Sequence, residues 1–288
     1  MSPELQALVA SALLASGLTV LELGEDSAVV RLPEGAEHTI GFSNLLRTLA
    51  LADPTERRRV LERYVAGWLE QARRAELDLP REGEAERLFP RLLGPDEAGT
   101  RLASMWTEPM VGGALSLALA VDEQDAIRFV SPLDLPRWQL GLSEAKRRAM
   151  DNLEASSARL VEAVRRRPDP FAPFEVATGD GWDASRLLIA HHLPPPCRGV
   201  FALVPARDLL LCVPVASPST FRVALGEAMA RRAWAERAVH ELPYPLSPEL
   251  FWCSDELLER VPVTVDASGR SSAQLPDRVA SLASGGDA

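Results

Sequence analysis

The stretch Gly199–Val215 limits the possible folds more than any other, because it holds two apolar runs on either side of a turn. The runs are Val200–Val204 and Leu209–Val215. Pro205 presets φ for a turn, and Asp208 can hydrogen-bond its own nearby backbone, so the pattern predicts a tight β-hairpin. Both strands are apolar on both faces, so we expect both faces of the hairpin to be covered.

Hairpin patterns recur between predicted helices elsewhere in the chain. Apolar runs around a turn lie at residues 18–32 and 113–130, and long amphipathic helices are predicted at 54–75 and 143–167. Hairpins between helices favour antiparallel sheets over parallel strands with crossover helices, so the pattern predicts an α+β fold. The order of long helix, strand, hairpin and helix occurs twice, which indicates an internal repeat.

The same patterns divide the chain into four segments. Residues 1–52 are predicted to be a helix–hairpin–helix region, 53–142 a first α+β unit and 143–265 a second. Residues 266–288 form a tail in which Ser, Gly and Ala predominate, and such a composition predicts disorder.

Charge and cysteine content limit the partners and the compartment. The 288-residue chain has a net charge of −10, whereas a nucleic-acid or anionic-membrane partner requires a basic surface. Cys197, Cys212 and Cys253 are too few and too scattered for a disulfide framework. No secretory signal is visible, and the longest apolar run, at 110–121, is too short to span a bilayer. We therefore expect a cytoplasmic protein without a membrane segment.

The most informative polar group lies at Gly181–Arg186, where a glycine turn leads into a predicted helix. One interpretation is a binding site for a polar ligand, formed by Asp183, Ser185 and Arg186 at the start of the helix. The alternative is a helix cap, in which Asp183 accepts hydrogen bonds from free backbone N–H groups and Trp182 packs as an anchor.

Two further candidates lie outside this group. Arg207 and Asp208 occupy the predicted hairpin turn, either as a polar tip for binding or as a turn residue beside a solvated arginine. Asn152 lies beside Leu153 in a predicted helix, where asparagine has poor propensity. It is therefore expected to hydrogen-bond something specific, and a structural bond to a neighbouring loop is the favoured interpretation.

The sequence predicts neither a metal site nor a cofactor. His191 and His192, with Cys197 nearby, form the only local group of metal-ligating residue types. Adjacent helical residues point about 100° apart, so the two imidazoles are not expected to bind one metal ion. P-loop, dinucleotide-binding and zinc-protease motifs are absent, and Ser185 is not in a nucleophile elbow.

Four short motifs occur together in one order: Arg87–Pro90, Ala149–Leu153, Gly181–Leu188 and Val204–Leu210. Across residues 87–215 the chain resembles the YtpQ-like family of bacterial proteins. The resemblance implies a soluble bacterial cytoplasmic protein, and it brings no established activity, substrate or cofactor.

The resemblance also implies that Asn152, Asp183 and Asp208 belong to one functional arrangement. The first hypothesis is nevertheless a non-catalytic binding or adaptor protein for a protein or peptide partner, including a chaperone-like role. The alternative is a hydrolase that uses the carboxylates of Asp183 and Asp208, with or without Mg²⁺. A third interpretation makes these residues a buried network that orders the core.

Overall fold

The computed structural model describes residues 3–24, 27–77, 83–95, 105–123, 126–266 and 271–283. Its helices and antiparallel sheets confirm the predicted α+β class. The chain divides into an N-terminal unit (Met1–Glu82 and Glu123–Arg128) and a C-terminal unit (Gly83–Asp122 and Phe129–Ala288). The four segments predicted from the sequence have other boundaries and stay a prediction.

The N-terminal unit contains helices and a three-stranded antiparallel sheet. Its elements are α1 (Pro3–Ala15), β1 (Thr19–Leu23), β2 (Ser27–Arg31), β3 (Glu37–Gly41), α2 (Ser43–Leu51) and α3 (Arg57–Leu77). β2 pairs with both neighbours, so the hairpin predicted at residues 18–32 is confirmed. Leu13, Val30 and Ile40 are fully buried, and each such side chain stabilises the unit by about 1.5–3 kcal/mol.

The first sheet of the C-terminal unit lies against a long helix. The elements of this part of the chain are β4 (Leu88–Leu93), β5 (Thr107–Met110), β6 (Leu115–Glu123), β7 (Ala126–Phe129), α4 (Asp134–Arg137) and α5 (Leu142–Arg165), of which all but the last residue of β6 and the first three of β7 belong to the C-terminal unit. β6 lies between β4 and β5. Ala145 and Ala149 of α5 are one turn apart and pack with Leu88 of β4, so a single face of the helix is buried.

The second sheet contains the predicted hairpin. Its strands are β8 (Phe174–Val176), β9 (Gly199–Ala206), β10 (Leu209–Val215), β11 (Pro245–Ser254) and β12 (Leu257–Val261), in the order β12-β11-β9-β10-β8. β9 and β10 pair antiparallel around Arg207 and Asp208, which confirms the hairpin.

Both faces of this hairpin are covered, as its apolar pattern predicts. Phe201 and Leu203 of β9 pack with Phe221 of α6 (Phe221–Glu241), while the 3₁₀ helix Ala184–His192 also contacts β9. Every residue of β9 is buried. The two larger sheets of the C-terminal unit have different strand orders, and the predicted internal repeat is not shown.

The prediction of a disordered tail is wrong for the described part of it. β13 (Val263–Val265) pairs with β14 (Ser271–Ala273), and α7 (Asp277–Ala283) follows. Val279 is fully buried in the apolar cluster beneath α6, and Leu275 packs against that cluster. A polar composition is thus compatible with order here, because single apolar residues anchor the segment to an existing core.

Within the ranges that the structure describes, no helix is long and apolar enough to cross a membrane.

Candidate functional site

The side chain of Arg186 is the centre of a buried polar cluster, which we call the Arg186 cluster. Its members are Ser157, Thr178, Asp180, Asp183 and Arg186. The Arg186 Nε donates to Ser157 Oγ at 2.9 Å, and Nη1 donates to Asp183 Oδ1 at 2.9 Å and to Asp180 Oδ1 at 3.0 Å. Nη2 also donates to Asp180. The Arg186 side chain is only 2% exposed, so its charge is neutralised by these carboxylates rather than by water.

The carboxylate of Asp183 is fully buried and hydrogen-bonded by neighbouring groups. Oδ1 accepts bonds from the Thr178 N–H at 3.0 Å and the Thr178 hydroxyl at 2.7 Å, and Oδ2 accepts one from the Gly179 N–H at 3.1 Å. Asp183 is the N-cap residue of the 3₁₀ helix, but its side chain makes no capping bond. It organises the preceding turn instead, which differs from the capping interpretation.

Trp182 packs as an anchor, in agreement with the structural interpretation of this motif. Its indole is buried and stacks on Phe89, with ring centroids 4.6 Å apart and planes at 17°. The guanidinium of Arg91 lies 5.4 Å from the Trp182 ring centroid and donates to the Gly181 carbonyl. Ser185 is also buried, so neither side chain is available to a ligand from solvent.

Two acidic groups around Trp182 have pKa values shifted in opposite directions. Burial of Asp180 acts to raise its pKa. Hydrogen bonds from Arg186 and from the Trp182 N–H, together with the positive charge of Arg186, outweigh the effect of burial, and the pKa of Asp180 is lowered. For Asp122, burial dominates and raises the pKa despite a hydrogen bond from the Trp182 side chain.

These shifts predict opposite effects of pH on two asparagine variants. The lowered pKa of Asp180 means that its stabilisation is present above the unfolded pKa, near pH 4, and is lost as pH falls through the folded pKa. The raised pKa of Asp122 means that its ionisation destabilises the fold as pH rises through the folded pKa. Asp180→Asn should therefore lower the melting temperature at pH 7, and Asp122→Asn should raise it.

Both differences should shrink below about pH 4, where both carboxyls are protonated in the unfolded chain. Thermal unfolding of the two variants and the unmodified chain, followed by circular dichroism from pH 3 to pH 7, measures this. Changes of the same sign at pH 7 would contradict the assignment of the two shifts.

The hairpin turn forms a second polar group. Arg207 Nε and Nη2 donate to the two carboxylate oxygens of Asp208, each at 2.7 Å, and the Arg207 guanidinium lies 3.4 Å from the ring centroid of Tyr244. The Ala184 N–H donates to the Arg207 carbonyl at 3.0 Å. The turn therefore contacts the start of the 3₁₀ helix through its backbone, while its charged side chains neutralise each other.

The carboxylates of Asp183 and Asp208 are engaged by different arginines. Asp183 is paired with the buried Arg186, and Asp208 with its neighbour Arg207. Among the described residues, no hydrogen bond joins the two carboxylates. Each carboxylate is occupied by its own internal ion pair, so the geometry does not favour a shared catalytic role, and the hydrolase hypothesis stays a prediction.

Asn152 has the structural role favoured for it from the sequence. Its Nδ2 donates to the carbonyls of Glu86 and Leu88, each at 2.8 Å. These bonds attach α5 to the start of β4. Asn152 is not a member of the Arg186 cluster, so the three residues grouped by the family resemblance make three separate sets of bonds.

Three members of the Arg186 cluster were missed by sequence reasoning. Ser157 belongs to α5, and Thr178 and Asp180 precede the motif that was singled out. Asp180 lies between two glycines and looked like an ordinary turn residue. The sequence did contain a signal for Arg91, which also contacts this region. A charged residue within the apolar run of β4 needs a buried hydrogen-bond partner, and this requirement points to a polar contact there.

The prediction that the imidazoles of His191 and His192 point away from each other is wrong. Their ring centroids are 3.9 Å apart, and one ligating atom from each lies within 4.8 Å of a carboxylate oxygen of Asp255. The helix here is a 3₁₀ helix, and Ile189 departs from helical geometry, with φ −124° and ψ 18°. The spacing of an α-helix therefore does not apply to these two side chains.

A cavity of about 530 Å³ lies in the N-terminal unit. Residues of α1, α2 and the start of α3 line it, among them Leu8, Leu49 and Arg57. Because its walls come from three separate helices, no single sequence motif indicated it.

Comparison with known proteins adds no relative. No family model matches the chain, and no curated protein or solved structure matches it. The resemblance to the YtpQ-like family therefore stays a prediction.

Proposed function

We propose that the protein is a non-catalytic adaptor that binds an apolar helical segment of a protein partner on the outer face of α6. The outer face consists of Val223, Gly226, Ala230 and Trp234. The observation that carries the proposal is Gly226, a glycine in the interior of a long helix with no described residue packed against it.

The outer face combines exposed apolar side chains at helical spacing. Val223 is 76% exposed and Trp234 is 41% exposed. Ala230 lies between them and is also exposed. Residues 223, 226, 230 and 234 are three and four positions apart, so they form one ridge along the helix. The opposite face of α6, which carries Phe221 and Ala228, is buried in the core.

The part of the chain that the structure describes does not explain this glycine. A Cβ atom at Gly226 would meet no described atom within 4 Å, so the described fold does not require its small size. Glycine in a helix interior costs about 1 kcal/mol relative to alanine. A glycine on an exposed helix face instead allows a second backbone to approach closely, which is the use we assign to it.

The surroundings of the ridge agree with a protein partner. Tryptophan is enriched among the residues that dominate binding energy at protein interfaces. Glu227 and Arg231 form an ion pair at 3.0 Å beside the ridge, and such polar pairs are typical of an interface rim. An amphipathic helix with apolar residues at the same spacing would bury Val223 and Trp234 together.

Other observations support the class and the compartment. The carboxylates and arginines of the candidate site form ion pairs with each other, which favours a binding protein over an enzyme. All three cysteines are free thiols, as is common in a reducing cytoplasm. The likeness to YtpQ-like proteins points to the same compartment. The net charge of −10 favours a protein partner over a nucleic acid or an anionic membrane.

Photo-crosslinking from the outer face tests this proposal. A photoreactive amino acid replaces Ala230, and a matched variant carries it at Ala155, an exposed alanine of α5. After irradiation of intact native cells, we expect a discrete adduct with a second protein from position 230 and none from position 155. Adducts from both positions, none from either, or an adduct with the mass of two copies of this chain would overturn the proposal.

A further inference from the structure

Two histidines and one aspartate from separate elements of the C-terminal unit lie close together. His191 and His192 end the 3₁₀ helix, and Asp255 lies in the turn between β11 and β12. One ligating atom from each side chain lies within 4.8 Å of the other two. Imidazole nitrogens and a carboxylate oxygen are the ligands that zinc and similar ions take in proteins.

The distance between His191 and Asp255 agrees with metal coordination. His191 Nε2 and Asp255 Oδ1 are 3.4 Å apart. Zinc binds such atoms at about 2.0–2.2 Å, so two ligands of a tetrahedral ion lie about 3.4 Å from each other. The remaining separations are within 4.8 Å, and the side chains of Asp255, which is 88% exposed, and His192, which is also exposed, have room to rotate toward an ion.

His191 gives the group a fixed point. Its side chain is only 13% exposed, so packing limits its orientation. The fixed imidazole lies against Asp255, with Nε2 3.4 Å from Oδ1. The two exposed side chains can therefore adjust around a ligand atom whose position is already set.

We propose that His191, His192 and Asp255 bind one divalent transition-metal ion of the Zn²⁺ type. Three protein ligands leave one position of a tetrahedral ion for water or another small ligand. Cys197 lies nearby, but its thiol donates to the Gly199 carbonyl at 3.4 Å and does not belong to the three-ligand set. The site is separate from the outer face of α6, and the proposal does not depend on partner binding.

Calorimetric titration of the metal-free full chain with Zn²⁺ tests the site, using protein without a histidine tag. We expect saturable binding of one equivalent. His192→Ala and Asp255→Asn should each weaken binding at least about tenfold, because even residues that only orient ligands change affinity by that much. Both side chains are exposed, so neither change should impair folding.

Matched controls separate this site from general surface binding. His240→Ala and Glu256→Gln remove an exposed histidine and the acidic neighbour of Asp255, and both should leave the affinity unchanged. Cys197→Ser should also leave it unchanged. The proposal is overturned if no saturable equivalent binds, or if Glu256→Gln weakens binding as much as Asp255→Asn does. A comparable loss in Cys197→Ser would overturn the three-ligand set.

Discussion

Arg186→Met is expected to destabilise the protein by about 3–5 kcal/mol, the largest effect among the substitutions considered. Methionine fills much of the space of the arginine stem but donates no hydrogen bonds. Asp183 would then keep a fully buried charge without its cation, and Ser157 would lose its donor. Urea unfolding measures the difference as a change of midpoint at constant m-value.

An exposed arginine pair provides the control for this prediction. Arg166 pairs with Glu162 on α5, and their side chains are 76% and 58% exposed. Arg166→Met should change stability by no more than about 1 kcal/mol. Adding Asp180→Asn and Asp183→Asn to Arg186→Met should recover part of the loss, since it removes the uncompensated charges. A loss under about 1 kcal/mol for Arg186→Met would contradict the role of the Arg186 cluster.

Gly199→Ala is expected to destabilise the protein by about 2–5 kcal/mol. A Cβ atom on Gly199 would lie 2.2 Å from Cζ2 of Trp252, and the backbone there has φ +155°. Trp252 is fully buried, with its ring 4.9 Å from that of Phe201, so it has little room to move. Thermal and urea unfolding of the variant measure the loss.

The clash itself is tested by a double-mutant cycle. Trp252→Phe removes the ring atoms that the new Cβ would meet, so the double variant should be more stable than the sum of the single effects by about 0.5–3 kcal/mol. Additive effects would mean that the backbone conformation of Gly199, rather than contact with Trp252, requires the glycine.

The hairpin was predictable because its determinants are local. Two apolar runs and the turn at Arg207 and Asp208 are contiguous in the sequence, and the pairing of β9 with β10 follows from them. The α+β class followed from the same local signals. The strand order of the second sheet could not be predicted in this way. It depends on pairing between strands that are far apart in the sequence, and local turn signals do not specify such pairing.

The candidate site was predictable only in part, for the same reason. Asp183 and Arg186 were identified because they share one motif, whereas Ser157 comes from a distant helix and completes the cluster only after folding. The geometry of His191 and His192 was missed because an α-helix was assumed. The disordered tail was predicted from composition, which does not register a single buried anchor such as Val279.

The most direct test of the adaptor proposal compares adduct yield from position 230 in three backgrounds. Helix propensity predicts that Gly226→Ala is more stable than the unmodified chain by about 0.5–1 kcal/mol, and a Cβ there meets no atom of the described residues within 4 Å. If a partner backbone packs close to Gly226, the same Gly226→Ala variant should bind the partner more weakly than the unmodified chain does. We expect the adduct to decrease several-fold in Gly226→Ala and to disappear in Gly226→Arg, while Ala155→Arg keeps it. Undiminished adduct in a folded Gly226→Arg variant would contradict the account.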